Sequence, residues 1–167
     1  KGYNLAQTLV NTKTSHLMQT QVTISNANEA DLAWVNQQYK AIDFKPSSFE
    51  NELIAIAKVD NKPIGVGRLQ TIEDKIAELG GMYVDSAHRQ QGVADKIVAY
   101  LLANSTRYEI IYCLPFAHLA PFYQRFGFKT VTASATIPQE VSAKVDWCRD
   151  TYEHPVLLHA VTNQCIR

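Results

Sequence analysis

Residues 78–104 read Glu78-Leu-Gly-Gly-Met-Tyr-Val84-Asp-Ser-Ala-His-Arg89-Gln-Gln-Gly92-Val-Ala-Asp-Lys-Ile-Val-Ala-Tyr-Leu-Leu-Ala-Asn104. The pattern predicts a strand that ends near Val84, a polar loop over residues 85–91, and a helix over residues 92–104. Apolar residues recur in that helix at intervals of three and four, so one of its faces is expected to be buried. This strand, loop and helix decide how the flanking segments are interpreted.

The junction between the loop and the helix has the properties of an anion-binding site. The first turn of a helix leaves backbone N–H groups without partners and concentrates partial positive charge, so an anion gains hydrogen bonds and a dipole term there. Arg89 adds a positive charge, and Gly92 and Ala94 allow a ligand to approach the backbone closely. A diphosphate would fit this site. The alternative is that Gly92 only begins a helix and Arg89 is a solvated charge, because short glycine patterns also occur by chance.

A second motif lies downstream, Pro121-Phe-Tyr-Gln-Arg-Phe-Gly-Phe128. With both motifs in this order, the sequence resembles the GNAT-type N-acetyltransferases. Their acyl-CoA motif is Val-x-Pro-x-x-Arg-x-x-Gly-x-Gly/Ala, which this chain follows except that Ser86 replaces the proline. The matching residues are Val84, Arg89, Gly92 and Ala94. The later family motif, Phe-Tyr-x-x-x-Gly-Phe, is met in full at Phe122, Tyr123, Gly127 and Phe128. The resemblance extends from about Val22 to Val161.

The fold class that the resemblance and the patterns predict is α/β (α+β). It is a GNAT-like mixed, mostly antiparallel central sheet of six to seven strands flanked by helices, with one parallel pair splayed at the cofactor site. Strands are predicted at 21–25, 52–59, 64–69, 76–84, 108–114, 128–133 and 155–161, and helices at 29–41, 92–104, 118–126 and 137–150. Gly80 and Gly81 indicate a bulge, either for close ligand approach or for packing alone. We expect one domain over residues 21–167, preceded by an extension of uncertain structure over residues 1–20.

The resemblance implies that acetyl-CoA is the co-substrate and that the main chain holds it. Amides near Met82 and Val84 would polarise the thioester carbonyl and pair with the pantetheine arm, and those of residues 90–95 would hold the diphosphate. The predicted cofactor-binding residues are Met82, Tyr83, Val84, Arg89, Gln90, Gln91, Gly92, Val93, Ala94 and Asp95. The Asp95 carboxylate is expected to point outward, since it would otherwise repel the diphosphate. His88 is either a phosphate contact or a free loop histidine.

Glu78 and Tyr123 are the predicted catalytic residues. Deprotonating a lysine-like amine with a pKa near ~10.4 costs about 4 to 5 kcal/mol at pH 7, whereas an α-amino group with a pKa near ~8 costs about 1 kcal/mol. Glu78 has the separation from Gly92 that the family uses for its glutamate base, so it is a candidate base, directly or through water. Otherwise it is a strand-end charge or an ion-pair partner. Tyr123 has the position of the family's general acid near the thioester sulfur, or it is a core tyrosine.

For the amine-binding groove, the sequence offers candidate residues but no motif. In the family, the first helical region forms one wall of the amine groove, so Tyr39, Phe44 and Phe49 are candidates for substrate contact, with core or hinge packing as the alternative. The asparagine that many members carry before the tyrosine is absent, and residues 116–118 read Phe-Ala-His instead.

Composition limits the partners. The 167 residues carry no net formal charge, which argues against a general nucleic-acid or anionic-membrane surface. The three cysteines are widely separated and lack metal-ligand spacing, which predicts free thiols and no metal site. Free thiols are typical of a cytoplasmic protein. Cys113 has no paired histidine that would let it carry the acyl group covalently. No apolar run approaches the ~18 residues of a membrane span. A homodimer is compatible with the sequence.

The predicted activity is transfer of acetyl from acetyl-CoA directly to a primary amine, and the neutral composition favours a small molecule as the acceptor. One alternative is a protein lysine or N-terminus as the acceptor. The other is a different class of protein, an acyl-CoA-binding sensor without turnover.

Overall fold

The computed structural model describes residues 21–163 of the chain, so the expected extension over residues 1–20 lies outside the described part. In chain order the elements are β1 (Thr23–Asn26), α1 (Glu29–Ala41), β2 (Glu52–Val59), β3 (Lys62–Glu73), β4 (Ile76–Val84), α2 (Val93–Ala103), β5 (Ile110–Cys113), α3 (Ala120–Gln124), β6 (Lys129–Thr130), α4 (Gln139–Thr151) and β7 (His159–Thr162). Two 3₁₀ turns, Ser86–His88 and Ala117–Leu119, precede α2 and α3.

The strands form one sheet in the order β1-β2-β3-β4-β5-β7-β6. All neighbouring pairs are antiparallel except β4 and β5, which are parallel. The prediction of a mostly antiparallel sheet of six to seven strands with one parallel pair is therefore confirmed. The last strand, β7, pairs antiparallel with β6, the strand that follows Gly127.

The parallel pair separates halfway along β4. Pairing ends at Leu79 with Cys113, while β4 continues alone on that side to Val84. On its other side β4 carries a bulge, because Gly81 and Met82 together oppose Gly67 of β3. Gly81 has φ +61°, so the predicted irregularity at this glycine is confirmed.

Helices cover both faces of the sheet. One face packs α2 and α3 against residues that include Leu79 and Met82 of β4. The other face packs α1 against β2 and β3, and α4 against Tyr112 of β5. Helix α2 lies unusually close to β3, because a Cβ atom at Gly67 would come within 2.7 Å of Ile97 Cγ2 and 2.5 Å of Met82 Sδ. This close packing fixes the start of α2 beside the end of β4.

Most element types were predicted, but several boundaries were wrong. The predicted strand over 128–133 is only the two residues of β6, and the strand over 155–161 starts four residues later as β7. The predicted helix over 118–126 consists of a 3₁₀ turn followed by the five residues of α3. Gly127, with φ +88°, follows as expected for a left-handed helix end. The edge position of β6 gives it a single partner strand, which limits its length.

Candidate active site

A cavity of about 290 Å³ lies where β4 and β5 separate. Its lining includes Leu79, Met82 and Tyr123 from the α2 and α3 side, and Glu78 and Lys144 from the α4 side. The separation of the two strands therefore makes an opening that reaches from one face of the sheet to the other. The two predicted catalytic residues, Glu78 and Tyr123, both line this cavity although they are 45 positions apart (123 − 78).

The unpaired edge of β4 presents backbone groups toward this gap. The Asp85 amide donates to the Ile64 carbonyl of β3 at 2.8 Å. Since successive amides of an extended strand point in opposite directions, the amides of Val84 and Met82 point away from β3 and toward the gap. The two amides assigned to the thioester and the pantetheine arm thus face the right way for that task.

The start of α2 is uncapped by any side chain. Gly92 is the N-cap residue with φ +76°, and the first helical bond is the Lys96 amide to the Gly92 carbonyl at 3.2 Å. The amides of Val93, Ala94 and Asp95 therefore precede the first intrahelical donor. A Cβ atom built on Gly92 would meet no heavy atom within 4 Å, so the space beside this N-cap residue is open. The arrangement suits an anion, as the sequence predicts.

Loop side chains brace the turn without filling that space. Arg89 Nε donates to the Val84 carbonyl at 2.9 Å, which carries the guanidinium back toward the end of β4. Gln91 donates to the Ala87 carbonyl at 3.0 Å, and Gln90 has φ +59°. His88 Nδ1 lies 3.3 Å from an Asp85 carboxylate oxygen, so this histidine has a local partner. His88 is therefore not the free loop histidine of the second alternative.

Asp95 has a partner that the sequence reasoning missed. Its carboxylate lies 2.7 Å from Arg125 Nη2 at the end of α3, and the same guanidinium lies over the rings of Phe122 and Phe126. The negative charge in the first turn of α2 is thereby balanced from α3. Arg125 stands inside the Phe-Tyr-x-x-x-Gly-Phe motif at a position that the motif leaves free, so the motif itself gave no signal for it.

Glu78 is buried, at 6% exposure, and forms an ion pair with Lys144 of α4. Of the sequence alternatives for this residue, a solvated strand-end charge is wrong, whereas an ion-pair partner is present. The side chain of Lys144 is 41% exposed, so its ammonium reaches the carboxylate from the open side of the cavity. Sequence reasoning missed Lys144 because the pair joins residues 66 positions apart.

Tyr123 lies on α3 with 9% exposure, and its ring packs edge-on against Phe122 and Phe128. Burial raises the pKa of the Tyr123 hydroxyl, so the group stays protonated and remains a hydrogen-bond donor at neutral pH. Burial also raises the pKa of the Cys113 thiol, which disfavours the thiolate that a covalent acyl carrier would need.

The three aromatic residues proposed for acceptor contact have different environments. Tyr39 is fully buried, and its hydroxyl donates to the Gly81 carbonyl at 2.5 Å, so it belongs to the core and fixes the β4 bulge. Phe49 is 41% exposed and does not border the cavity. Only Phe44 lines it. The substrate-contact hypothesis thus keeps Phe44 and loses the other two.

Arg68 is a further charged residue at the cavity that the sequence did not single out. Its guanidinium lies 5.0 Å from the centroid of the Tyr39 ring and donates to Ser47 Oγ at 2.6 Å. Its charge is balanced by Glu52, whose carboxylate oxygen lies 3.4 Å away. These contacts hold the loop after α1 against β3.

The described residues 21–163 contain no cluster of three or more His, Cys, Asp or Glu side chains arranged to hold a metal ion. None of the helices in this range is long and apolar enough to cross a membrane.

Comparison with curated proteins gives no significant match. Among solved structures, Rv2747 from Mycobacterium tuberculosis in complex with CoA has a TM-score of 0.67 and 15% identity, covering 84% of this chain and 98% of that one. An aminoglycoside 6'-N-acetyltransferase complexed with coenzyme A has a TM-score of 0.63 and 15% identity, covering 84% and 97%. The ribosomal-protein-S18-alanine N-acetyltransferase from Escherichia coli has a TM-score of 0.61 and 16% identity, covering 85% and 94%.

These likenesses show that the fold is shared with acetyltransferases. A family model described as an acetyltransferase (GNAT) domain matches residues 50–130, which span β2 to β6 and so include the β4 edge, the start of α2, and Tyr123. The chain therefore contains a GNAT-family acetyltransferase domain, matched over residues 50–130.

Proposed function

We propose that the protein transfers the acetyl group of acetyl-CoA directly to the primary amine of a small molecule. One observation carries this proposal: a single cavity joins Glu78 and Tyr123 across the opening between β4 and β5, next to an open strand edge and an uncapped helix start. A cavity of about 290 Å³ is close to the lower end of the range for small-molecule sites.

The two substrates would approach from opposite faces of the sheet. Acetyl-CoA would place its diphosphate at the amides that begin α2 and its pantetheine arm along the free edge of β4, near Met82. The amine would enter between the loop after α1 and helix α4, where Phe44 and Lys144 line the cavity. The reacting atoms would meet at the opening, so transfer needs no covalent enzyme intermediate.

In the transfer step, the neutral amine attacks the thioester carbonyl carbon. A C–N bond forms, the C–S bond breaks, and the amine proton passes to Glu78 directly or through water. The outward-facing amides of Met82 and Val84 would stabilise the developing oxyanion. Tyr123, which burial keeps protonated, would donate a hydrogen bond to the leaving sulfur.

The Lys144 ammonium contacts the same carboxylate that the acceptor amine must reach. A general base needs its substrate within about 2.6–3.2 Å, so we infer that the incoming amine displaces Lys144 from at least one oxygen of Glu78. The partial exposure of Lys144 allows it to swing toward solvent when this happens.

A thiol-release assay with acetyl-CoA and a panel of amines tests the proposal, with CoA binding measured in parallel. We expect wild-type protein to release thiol only when an amine is present. In a Tyr123→Phe variant, turnover should fall about tenfold or more, whereas the CoA affinity should stay within about twofold of wild type. Binding of CoA without release for any amine would favour a sensor. Thiol release only with peptides would show that the acceptor is a protein amine. Equal loss of CoA binding and turnover in Tyr123→Phe would show that the role assigned to Tyr123 is wrong.

A further inference from the structure

Three aromatic side chains form a continuous wall along one side of the cavity. The rings of Trp147 and Tyr152 are in edge contact at 5.7 Å between centroids, and those of Tyr152 and Phe116 at 5.3 Å. All three residues line the cavity. We call Phe116, Trp147 and Tyr152 the aromatic wall. It combines the C-terminal part of α4 with the segment after β5, so it closes the acceptor side.

The aromatic wall leaves a large apolar side chain uncovered. Trp147 is 55% exposed even though it borders the cavity, and Leu119, which also lines the cavity, is 43% exposed. The buried face of α4 carries Val141, Val145 and Cys148, so Trp147 lies outside it. Exposed apolar surface that lines a reaction cavity gains free energy when a ligand covers it.

The aromatic wall and the reacting centre are neighbours in one cavity. Lys144 and Trp147 are three positions apart on α4, which places them about 4.5 Å apart along the helix axis and on neighbouring surface positions. The Lys144 ammonium contacts Glu78, so it marks where an acceptor amine would lie. One small ligand in this cavity could therefore place an amine at Glu78 and a ring against Trp147.

The charges around the cavity favour a neutral distal group. Glu78 is paired with Lys144, and Arg68 with Glu52. The loop after α1 adds one residue of each sign, Asp43 and Lys45. Three basic and two acidic residues line the cavity, and Glu52, which lies behind Arg68, supplies the third negative charge. With these charges balanced, the site has no excess of either sign with which to select a second ammonium or a carboxylate on the ligand.

We propose that the acceptor is an arylalkylamine, a primary amine joined to an aromatic ring by a short alkyl chain, with its ring against Trp147. This inference rests on the proposed function, which it narrows to a substrate class. The ring of the ligand would make an edge or offset contact with the aromatic wall, which orients the ligand. In this orientation the amine of the ligand lies at Glu78, in place of the Lys144 ammonium.

The test compares kcat/KM in the thiol-release assay for 2-phenylethylamine and tryptamine with n-propylamine, ethanolamine, spermidine and an amino acid. We expect the two aromatic amines to exceed n-propylamine by about tenfold or more, since burying a ring adds more than one factor of ten in binding. Equal values across the panel, or a preference for spermidine or the amino acid, would overturn the inference while leaving acetyl transfer to small amines intact.

Variants of α4 provide the matched controls. Trp147→Ala should raise KM for tryptamine about tenfold and change the value for n-propylamine less than twofold, while Trp147→Phe should restore most of the preference. Arg149→Ala, an exposed change on the same helix, should alter neither. Equal loss for all amines in Trp147→Ala would contradict a role in ring binding. If no amine is turned over, the affinity for 2-phenylethylamine is measured by titrating it into the CoA complex. The inference is refuted if 2-phenylethylamine does not bind, or if Trp147→Ala leaves its affinity unchanged.

Discussion

Replacing Gly92 with alanine tests whether the start of α2 holds the diphosphate. Gly92 has φ +76°, so an alanine there costs about 1 to 2 kcal/mol of folding stability through backbone strain alone. The added methyl group meets no protein atom within 4 Å, so no steric clash adds to that cost. The methyl group would occupy the open space beside the N-cap residue, where it would crowd a diphosphate bound at the helix start. A hydrogen bond from an amide to a charged group contributes about 1.5 to 3 kcal/mol, so blocking one should weaken CoA binding about 10- to 150-fold.

Gly127→Ala is the matched control for this experiment. Gly127 also has a left-handed conformation, φ +88°, and its added Cβ atom would lie an ordinary 3.5 Å from Val161 Cγ2. Both variants should therefore lose similar stability in urea unfolding, but only Gly92→Ala should lose CoA affinity in calorimetry. If Gly92→Ala binds CoA as wild type does, the diphosphate is held elsewhere and the assignment of this helix start is wrong.

Three further predictions follow from the ion pairs and the buried tyrosines. Arg125→Gln should weaken CoA binding by up to about fivefold at low salt, because it leaves the Asp95 carboxylate without its positive partner. Adding Asp95→Asn should restore the affinity. If titration calorimetry shows the same CoA affinity in both variants as in wild type, the Asp95 charge has no effect on CoA binding. Lys144→Met should lower KM for the acceptor severalfold because no internal ammonium competes for Glu78, and an unchanged KM in the thiol-release assay would argue against displacement. Burial raises the pKa of Tyr39 and Tyr123, so above pH ~10 these tyrosines lose their protons in the unfolded chain before they do so in the folded protein. The free energy of unfolding should therefore be unaffected by these groups below pH ~10 and should fall at higher pH, by up to about 1.4 kcal/mol per pH unit for each group. Urea midpoints measured against pH check this, and the fall should be less steep in a Tyr39→Phe variant.

The residues that could be predicted from sequence are those whose role is local. The strand, the turn and the first helical turn lie within residues 78–104, and the backbone there does most of the work. Gly92 and the amides after it were therefore predictable, because a glycine before an amphipathic helix defines both the turn and the uncapped start. The open space in front of Gly92 agrees with that interpretation.

The features that could not be predicted depend on contacts between distant segments. Lys144 reaches Glu78 only because α4 packs across β5, and Arg125 reaches Asp95 only because α3 lies beside the start of α2. Periodicity indicates which face of α4 is buried, but it does not indicate which strand that face covers. The exposed Trp147 shows the same limit, since a tryptophan at helical spacing is ordinarily interpreted as core.

The opening itself results from two interruptions of the sheet, and both can be traced to residues. Pro115 follows the end of β5 and has no amide to donate, so regular pairing with β4 does not continue past Cys113. The Pro115 carbonyl instead accepts from the Leu157 amide at 3.0 Å, which draws the chain toward the opposite side. The bulge at Gly81 is held by the buried Tyr39 hydroxyl. A Tyr39→Phe change would thus loosen a contact that shapes the opening. The two breaks in the sheet have separate causes, and both border the same cavity.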